Sequence, residues 1–168
     1  MNRHLFFLCL FVFMSVTVFT QVKSQPSINN GKKGKHEKKH LEIIRRFHSE
    51  RGYIKKFIES GLMSNDIEWV VPGPREILPF AGVWKGPDGI AEFNRLLDST
   101  MQYDKVEIKE YIVDGDEVAA IFWGEGIALS TGKPFHSEIL RLYTFKDDKI
   151  IRVRNFYDTA AYVFAVMH

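Results

Sequence analysis

Thiol chemistry is nearly absent from this sequence: Cys9 is the one cysteine among 168 residues, and it lies inside the apolar run 5–19 (LFFLCLFVFMSVTVF). That run follows a short basic start with Arg3 and precedes Val22-Lys23-Ser24, whose Val and Ser fit the small-residue spacing before a cleavage point. This is the form of a secretory signal peptide over 1–24. The run is shorter than the roughly 20 residues a spanning helix needs, which weighs against a membrane anchor. Leu8 stands before Cys9 where lipidation would want a small residue. A chain beginning at Gln25 has no cysteine, which excludes disulfides and thiol catalysis. It is expected to be secreted or periplasmic, without stable membrane insertion after cleavage.

Excess charge is lacking as well. Without residues 1–24 the chain carries 21 basic and 21 acidic residues, and from Leu41 onward 16 against 20, a net charge of −4. A nucleic-acid partner is therefore disfavoured. Five lysines (Lys32, Lys33, Lys35, Lys38, Lys39) are concentrated in GKKGKHEKK. With the aperiodic stretch before them they read as a flexible, solvated leader over 25–39, leaving one domain over 40–168.

A glycine-rich phosphate loop is missing, as is a Ser or Cys nucleophile with a partner. His36 and His40 stand four apart on a helix, but they resemble the zinc-protease motif only superficially, because the glutamate directly follows the first histidine within the leader. His136 and Glu138 alternate on one strand face with Glu125 nearby, short of the three or four converging ligands that zinc takes. No metal and no cofactor is expected.

What is present is a clear order of elements. Leu41, Ile44 and Phe47, with Ile43 beside them, have helical spacing from Glu37 to a stop at Gly52. Tyr53, Ile54, Phe57, Ile58 and Leu62 repeat that spacing up to Ser64-Asn65. A short strand over 67–71 (IEWVV) is halted by Pro72-Gly73-Pro74, and an irregular Pro/Gly-rich lip runs to Gly86. Pro87 and Asp88 suit the first turn of a third helix, lined by Ile90, Phe93, Leu97 and Met101. Four strands follow over 105–113, 117–129, 135–145 and 149–157, separated by turn residues. Asp158-Thr159 then N-caps an apolar final helix. In the 117–129 strand both alternating sets are apolar, Val118, Ala120 and Phe122 against Ala119, Ile121 and Trp123. Helices cover one side of such a curved sheet, so the other is expected to meet a second copy in a homodimer.

This order resembles the α+β fold of nuclear transport factor 2-like proteins, a cone-shaped, curved antiparallel sheet wrapped by N-terminal helices, and more closely its SnoaL-like polyketide-cyclase branch. The likeness is carried by Asn65-Asp66-Ile67-Glu68-Trp69 into Val71-Pro72-Gly73, by Leu78-Pro79-Phe80-Ala81-Gly82 to Lys85-Gly86, and by Val113-Asp114-Gly115-Asp116-Glu117-Val118. Thr131-Gly132-Lys133 and Asp148-Lys149-Ile150 leading to Phe156-Tyr157-Asp158-Thr159 complete it. The fold hosts isomerases, cyclases, hydrolases and non-catalytic dimerisation domains, so the activity has to come from the site.

Two mechanisms of the superfamily lose their functional groups on this chain. Ketosteroid isomerase uses an aspartate base with a tyrosine and a protonated aspartate, and those positions fall on Val71, Phe47 and Arg141. The Arg, two Asp, Tyr and Asn of limonene epoxide hydrolase fall among Phe122, Gly124, Asn155, Trp69 and Val71. The polyketide cyclases' aspartate corresponds to Asn155 or to Asp158, and the resemblance does not choose.

The hydrolase parity implies that Ile139, Arg141, Val153, Asn155 and Tyr157 point inward. Arg141 would meet an acid or an anionic ligand there, since an unpaired guanidinium is costly in an apolar cone. Asn155 suits orienting a carbonyl or hydroxyl, or satisfying backbone at the sheet end. Asp158 is a helix cap or a general base. Trp69, Trp84, Phe80, Phe93, Phe122 and Tyr157 would line an aromatic pocket. The expected function is a domain binding a small, mainly apolar ligand; an isomerase, cyclase or hydratase using an acid such as Asp158, and a structural domain with a filled cone, are the alternatives.

Overall fold

A computed structural model describes residues 30–49 and 53–168. The expected signal peptide and the stop at Gly52 lie outside the described residues. The elements are α1 (Asn30–His48), α2 (Tyr53–Glu59), β1 (Met63–Val71), β2 (Gly82–Lys85), α3 (Gly86–Thr100), β3 (Met101–Asp114), β4 (Glu117–Ala128), β5 (Pro134–Lys146), β6 (Lys149–Tyr157) and α4 (Thr159–Val166). They form the expected α+β fold, with one curved, unclosed sheet in the order β2-β1-β6-β5-β4-β3. Every neighbouring pair is antiparallel except β1 with β6, which run parallel.

Helix α1 differs from the expectation. It begins at Asn30, so the lysine-rich run expected as a leader forms its first turns. Lysine and glutamate are good helix formers, and three tertiary contacts hold this end. Glu37 accepts the backbone N–H of Gly115 at 2.9 Å, and Lys39 and His40 reach the Asp148 carboxylate at 2.5 and 3.3 Å. The tips of the β3–β4 and β5–β6 hairpins are thus both tied to one helix. Its buried stripe is His40, Ile44 and Phe47, at the i, i+4, i+7 spacing of a helix face.

The hairpin turns follow their residue types. Asp147 and Asp148 sit at φ 51° and 58° between the paired Lys146 and Lys149. Two successive left-handed residues are the mark of a two-residue type I′ turn, and Asp is among the few non-glycine residues that tolerate it. β3 bulges between Tyr103 and Lys105 and again between Ile108 and Glu110, which bends the sheet. At the first bulge the backbone comes so close that a Cβ on Gly126 would lie 1.9 Å from the Gln102 carbonyl oxygen. Glycine alone fits there.

The strand faces separate as period-two patterning requires. On β4 the even residues, including Val118, Ala120 and Phe122, are buried in the core, while Ala119, Ile121 and Trp123 are half-buried on the opposite face. That outer face carries the register row Ile121, Leu140, Phe156 across β4, β5 and β6. The core fills the inner face with Trp69, Phe80, Phe93, Phe135, Tyr143 and Tyr162 among others. α3 enters it through Ile90 and Phe93.

Candidate functional site

Inside the cone the expected parity holds: Ile139, Arg141, Val153 and Asn155 are buried and Tyr157 half-buried. Arg141 on β5 and Asn155 on β6 are direct cross-strand partners. The Arg141 Nε–H donates to Asn155 Oδ1 at 2.8 Å, and Asn155 Nδ2 donates to the Val70 carbonyl at 2.9 Å. Asn155 is thereby oriented from both ends of its amide, and through it the guanidinium is held to β1. The cation lies over two aromatic rings, 5.0 Å from Trp69 and 5.4 Å from Phe122, an arrangement in which ring quadrupoles offset part of its desolvation.

Behind Arg141 stands His48, the last residue of α1. Its Nε2 lies 2.8 Å from the Tyr143 hydroxyl and its Nδ1 3.1 Å from the Tyr111 hydroxyl, and its ring packs edge-on to Phe122 at 4.7 Å. Burial and the neighbouring Arg141 cation together lower its pKa to about 3. The imidazole is therefore neutral, with one nitrogen donating and one accepting, and two hydroxyls that do either suit it.

A second polar group closes the other side. Tyr103 and Tyr162 share a hydrogen bond between hydroxyls at 2.8 Å. Tyr157, its ring 4.6 Å from that of Tyr162, donates to the Pro72 carbonyl at 2.5 Å. Burial, with the adjoining tyrosine Tyr103 adding to it, pushes Tyr157 and Tyr162 well above the usual phenol range. Phe80 of the lip meets Tyr162 of α4 at 6.4 Å, so lip and terminal helix come together over the cone.

Between these groups lies a cavity of about 30 Å³ lined by Val71, Phe80, Phe93, Tyr103, Arg141 and Asn155, with Leu97, Ile139, Tyr157 and Tyr162. That is room for about two water molecules. The lining includes no Asp or Glu.

The sequence-expected residues divide accordingly. Arg141, Asn155, Tyr157, Phe80 and Phe93 line the cavity, and Trp69 and Phe122 flank the guanidinium. Trp84 lies outside the lining; its indole N–H donates to the Phe80 carbonyl at 2.9 Å and its ring faces the Arg75 guanidinium at 4.6 Å. Asp158 caps α4, its carboxylate accepting from the N–H groups of Ala160 and Ala161 at 3.0 and 3.2 Å. The capping half of the Asp158 expectation is the one its geometry meets, and its carboxylate is not in the lining. Sequence reasoning missed Tyr103, Tyr162 and His48. Tyr103 precedes the predicted start of its strand, Tyr162 lies in an apolar helix without periodicity, and His48 reaches the site only because α1 crosses under the sheet.

Residues 51–153 match the family described as the SnoaL-like domain. No curated protein matches the chain by sequence. Among solved structures, an NTF2-like protein from Burkholderia xenovorans LB400 is similar at 21% identity and a TM-score of 0.65, over 78% of this chain and 98% of its own. TerC, co-crystallised with polyporic acid, is similar at 25% identity and a TM-score of 0.63, over 76% and 98%. A protein of ketosteroid isomerase-like fold from Catenulispora acidiphila DSM 44928, in complex with trimethylamine, is similar at 16% identity and a TM-score of 0.52, over 63% and 77%.

Proposed function

The chain belongs to the SnoaL-like domain family, and from that premise we propose that its cone binds a small, mainly apolar molecule whose acidic or carbonyl end is received by Arg141 and Asn155. The observation that carries this reading is the placement of Arg141 in the lining of an otherwise apolar, aromatic cavity. A fixed cation in low-dielectric surroundings favours an acceptor or anion far more than it would in water. The depressed pKa of His48, to which Arg141 contributes, is the same field acting on a neighbour. The crystallisation of TerC with an organic acid accords with an acidic occupant.

A binding role is preferred to acid–base catalysis because the lining offers no carboxylate, a neutral histidine lies behind Arg141, and the tyrosines hold their protons more tightly than usual. The cavity of about 30 Å³ is far below the ~300–1,000 Å³ of typical ligand sites. Binding therefore requires the contacts of the lip with α4 and with the end of β6 to open. The Tyr157–Pro72 and Phe80–Tyr162 contacts are the ones that break. The reading includes an exported protein that pairs as a homodimer through the outer apolar row Ile121, Leu140, Phe156.

The test compares an aromatic carboxylate with its neutral amide, followed by tryptophan fluorescence, on wild type, Arg141→Met and Arg141→Lys. The acid is expected to bind about tenfold or more tighter than the amide, with the preference kept by lysine and lost with methionine. Native mass spectrometry of the same samples reads the dimer and any co-purified molecule. An equal affinity for both compounds in wild type overturns the role given to Arg141, and no binding of either overturns the reading in favour of a filled structural cone.

A further inference from the structure

The start of α1 and the turn between β5 and β6 hold a second polar cluster, none of whose members lines the cavity. His36 and His40 stand one turn apart on α1, and the β5–β6 hairpin brings to them Asp148, which is 108 residues from His40. One atom of each, a ring nitrogen or a carboxylate oxygen, falls within 4.8 Å of the others. We propose that His36, His40 and Asp148 form a binding site for a zinc-like divalent transition metal.

Geometry carries the argument. Histidines at i and i+4 present both rings on one helix face, the arrangement by which helices supply two metal ligands. With metal–ligand bonds of about 2.0–2.1 Å, a tetrahedral site has ligand-to-ligand edges of roughly 3.3–3.4 Å. His40 Nε2 lies 3.3 Å from Asp148 Oδ1, already such an edge, and His36 Nδ1 lies 3.9 Å from the same oxygen. Closing that gap takes a small rotation of an exposed side chain, since His36 is 61% accessible.

The cluster has one rigid half. His40 is 2% exposed and stacked on Phe145 at 4.1 Å with 7° between the rings. Asp148 is fixed by the left-handed backbone of the hairpin turn. Its second oxygen, Oδ2, is held by the Lys39 ammonium at 2.5 Å. Its Oδ1 faces the two histidines, the atom a metal between them would take. Lys39 also opposes a second cation, which sets the site toward moderate affinity. Two imidazoles and one oxygen favour zinc, cobalt, nickel or copper over calcium or magnesium, which take oxygen shells. Water completes the shell on the solvent side. A metal here clasps α1 to the β5–β6 hairpin.

The experiment titrates full-length protein, carrying no histidine tag, with zinc chloride by calorimetry and with cobalt chloride by visible absorption. One metal per chain and the intense bands of four-coordinate cobalt are expected. His36→Ala and Asp148→Asn, both at accessible positions, weaken binding by about tenfold or more. Lys39→Met tightens it by freeing Oδ2. Circular dichroism checks that each variant folds, and a rise in Tm with zinc in wild type but not in His36→Ala reports the clasp. The proposal is overturned by less than one metal per chain, or by affinity that both variants leave unchanged, which would assign the metal to other histidines such as His136.

Discussion

His48 makes the stability of this domain sensitive to mild acid, and the size of the effect follows from its surroundings. In the unfolded chain its pKa is 6.5; folded, burial and Arg141 hold it at about 3. A base whose folded pKa is depressed contributes stability that is complete above 6.5 and is lost as pH falls toward 3, because the unfolded state takes up a proton that the folded state refuses. Each pH unit in that window is worth about 1.4 kcal/mol, so this one side chain removes ~2 kcal/mol between pH 8 and about pH 5. Against a domain stability of roughly 5–15 kcal/mol that loss is readily measured. His48→Gln keeps an amide donor and acceptor for Tyr143 and Tyr111 but does not titrate. It forfeits the ring packing on Phe122, a cost that does not change with pH. Urea unfolding followed by tryptophan fluorescence at several pH values from 8 to 5 gives two stability curves. Wild type is expected to be the more stable at pH 8, with the gap shrinking by about 2 kcal/mol by pH 5. Parallel curves would refute the account, since they would mean that His48 is as easily protonated in the folded protein as in the unfolded one.

Two further predictions test the frame around the site. Asp158→Ala is expected to cost about 1 kcal/mol through the two lost cap bonds, read as a Tm lower by roughly 3 °C, with the carboxylate ligand's affinity unchanged. Asp158→Asn restores most of that stability, whereas a loss of ligand affinity with stability intact would return Asp158 to the site. Gly126→Ala drives a Cβ into the Gln102 carbonyl oxygen, so β3 has to leave β4 at the bulge. A loss of about 3 kcal/mol or more is expected, seen as a collapse of the cooperative thermal transition, and a variant with wild-type Tm would show the bulge to be plastic.

Local chemistry was enough to read most of the elements. Pro87 and Asp88 start α3, Asp158 caps α4, Asp114-Gly115-Asp116 and Lys146-Asp147-Asp148 turn the meander, and the period-two patterns set its faces. Each of these depends on residues within a few positions of one another, and the parity that turned Arg141 and Asn155 inward is a property of the strand alone. The composition likewise argues against thiol chemistry and a nucleic-acid partner.

Long-range contact decided the rest. Helix α1 extends through the lysine run because Gly115 and Asp148, on hairpins some 80 to 110 residues away, hold Glu37, Lys39 and His40. The short strand β2 inside the lip owes its conformation to pairing with β1 rather than to its own residues. His48, Tyr103 and Tyr162 reach the cone from a helix under the sheet, a bulged strand and the terminal helix, and no spacing in the sequence relates them. Whether the cone is open or nearly filled is likewise decided by how lip and α4 close over it, because packing is a property of side chains brought together from separate elements. The amino-acid order determines which face each residue takes within its element; only the assembled fold determines which faces meet.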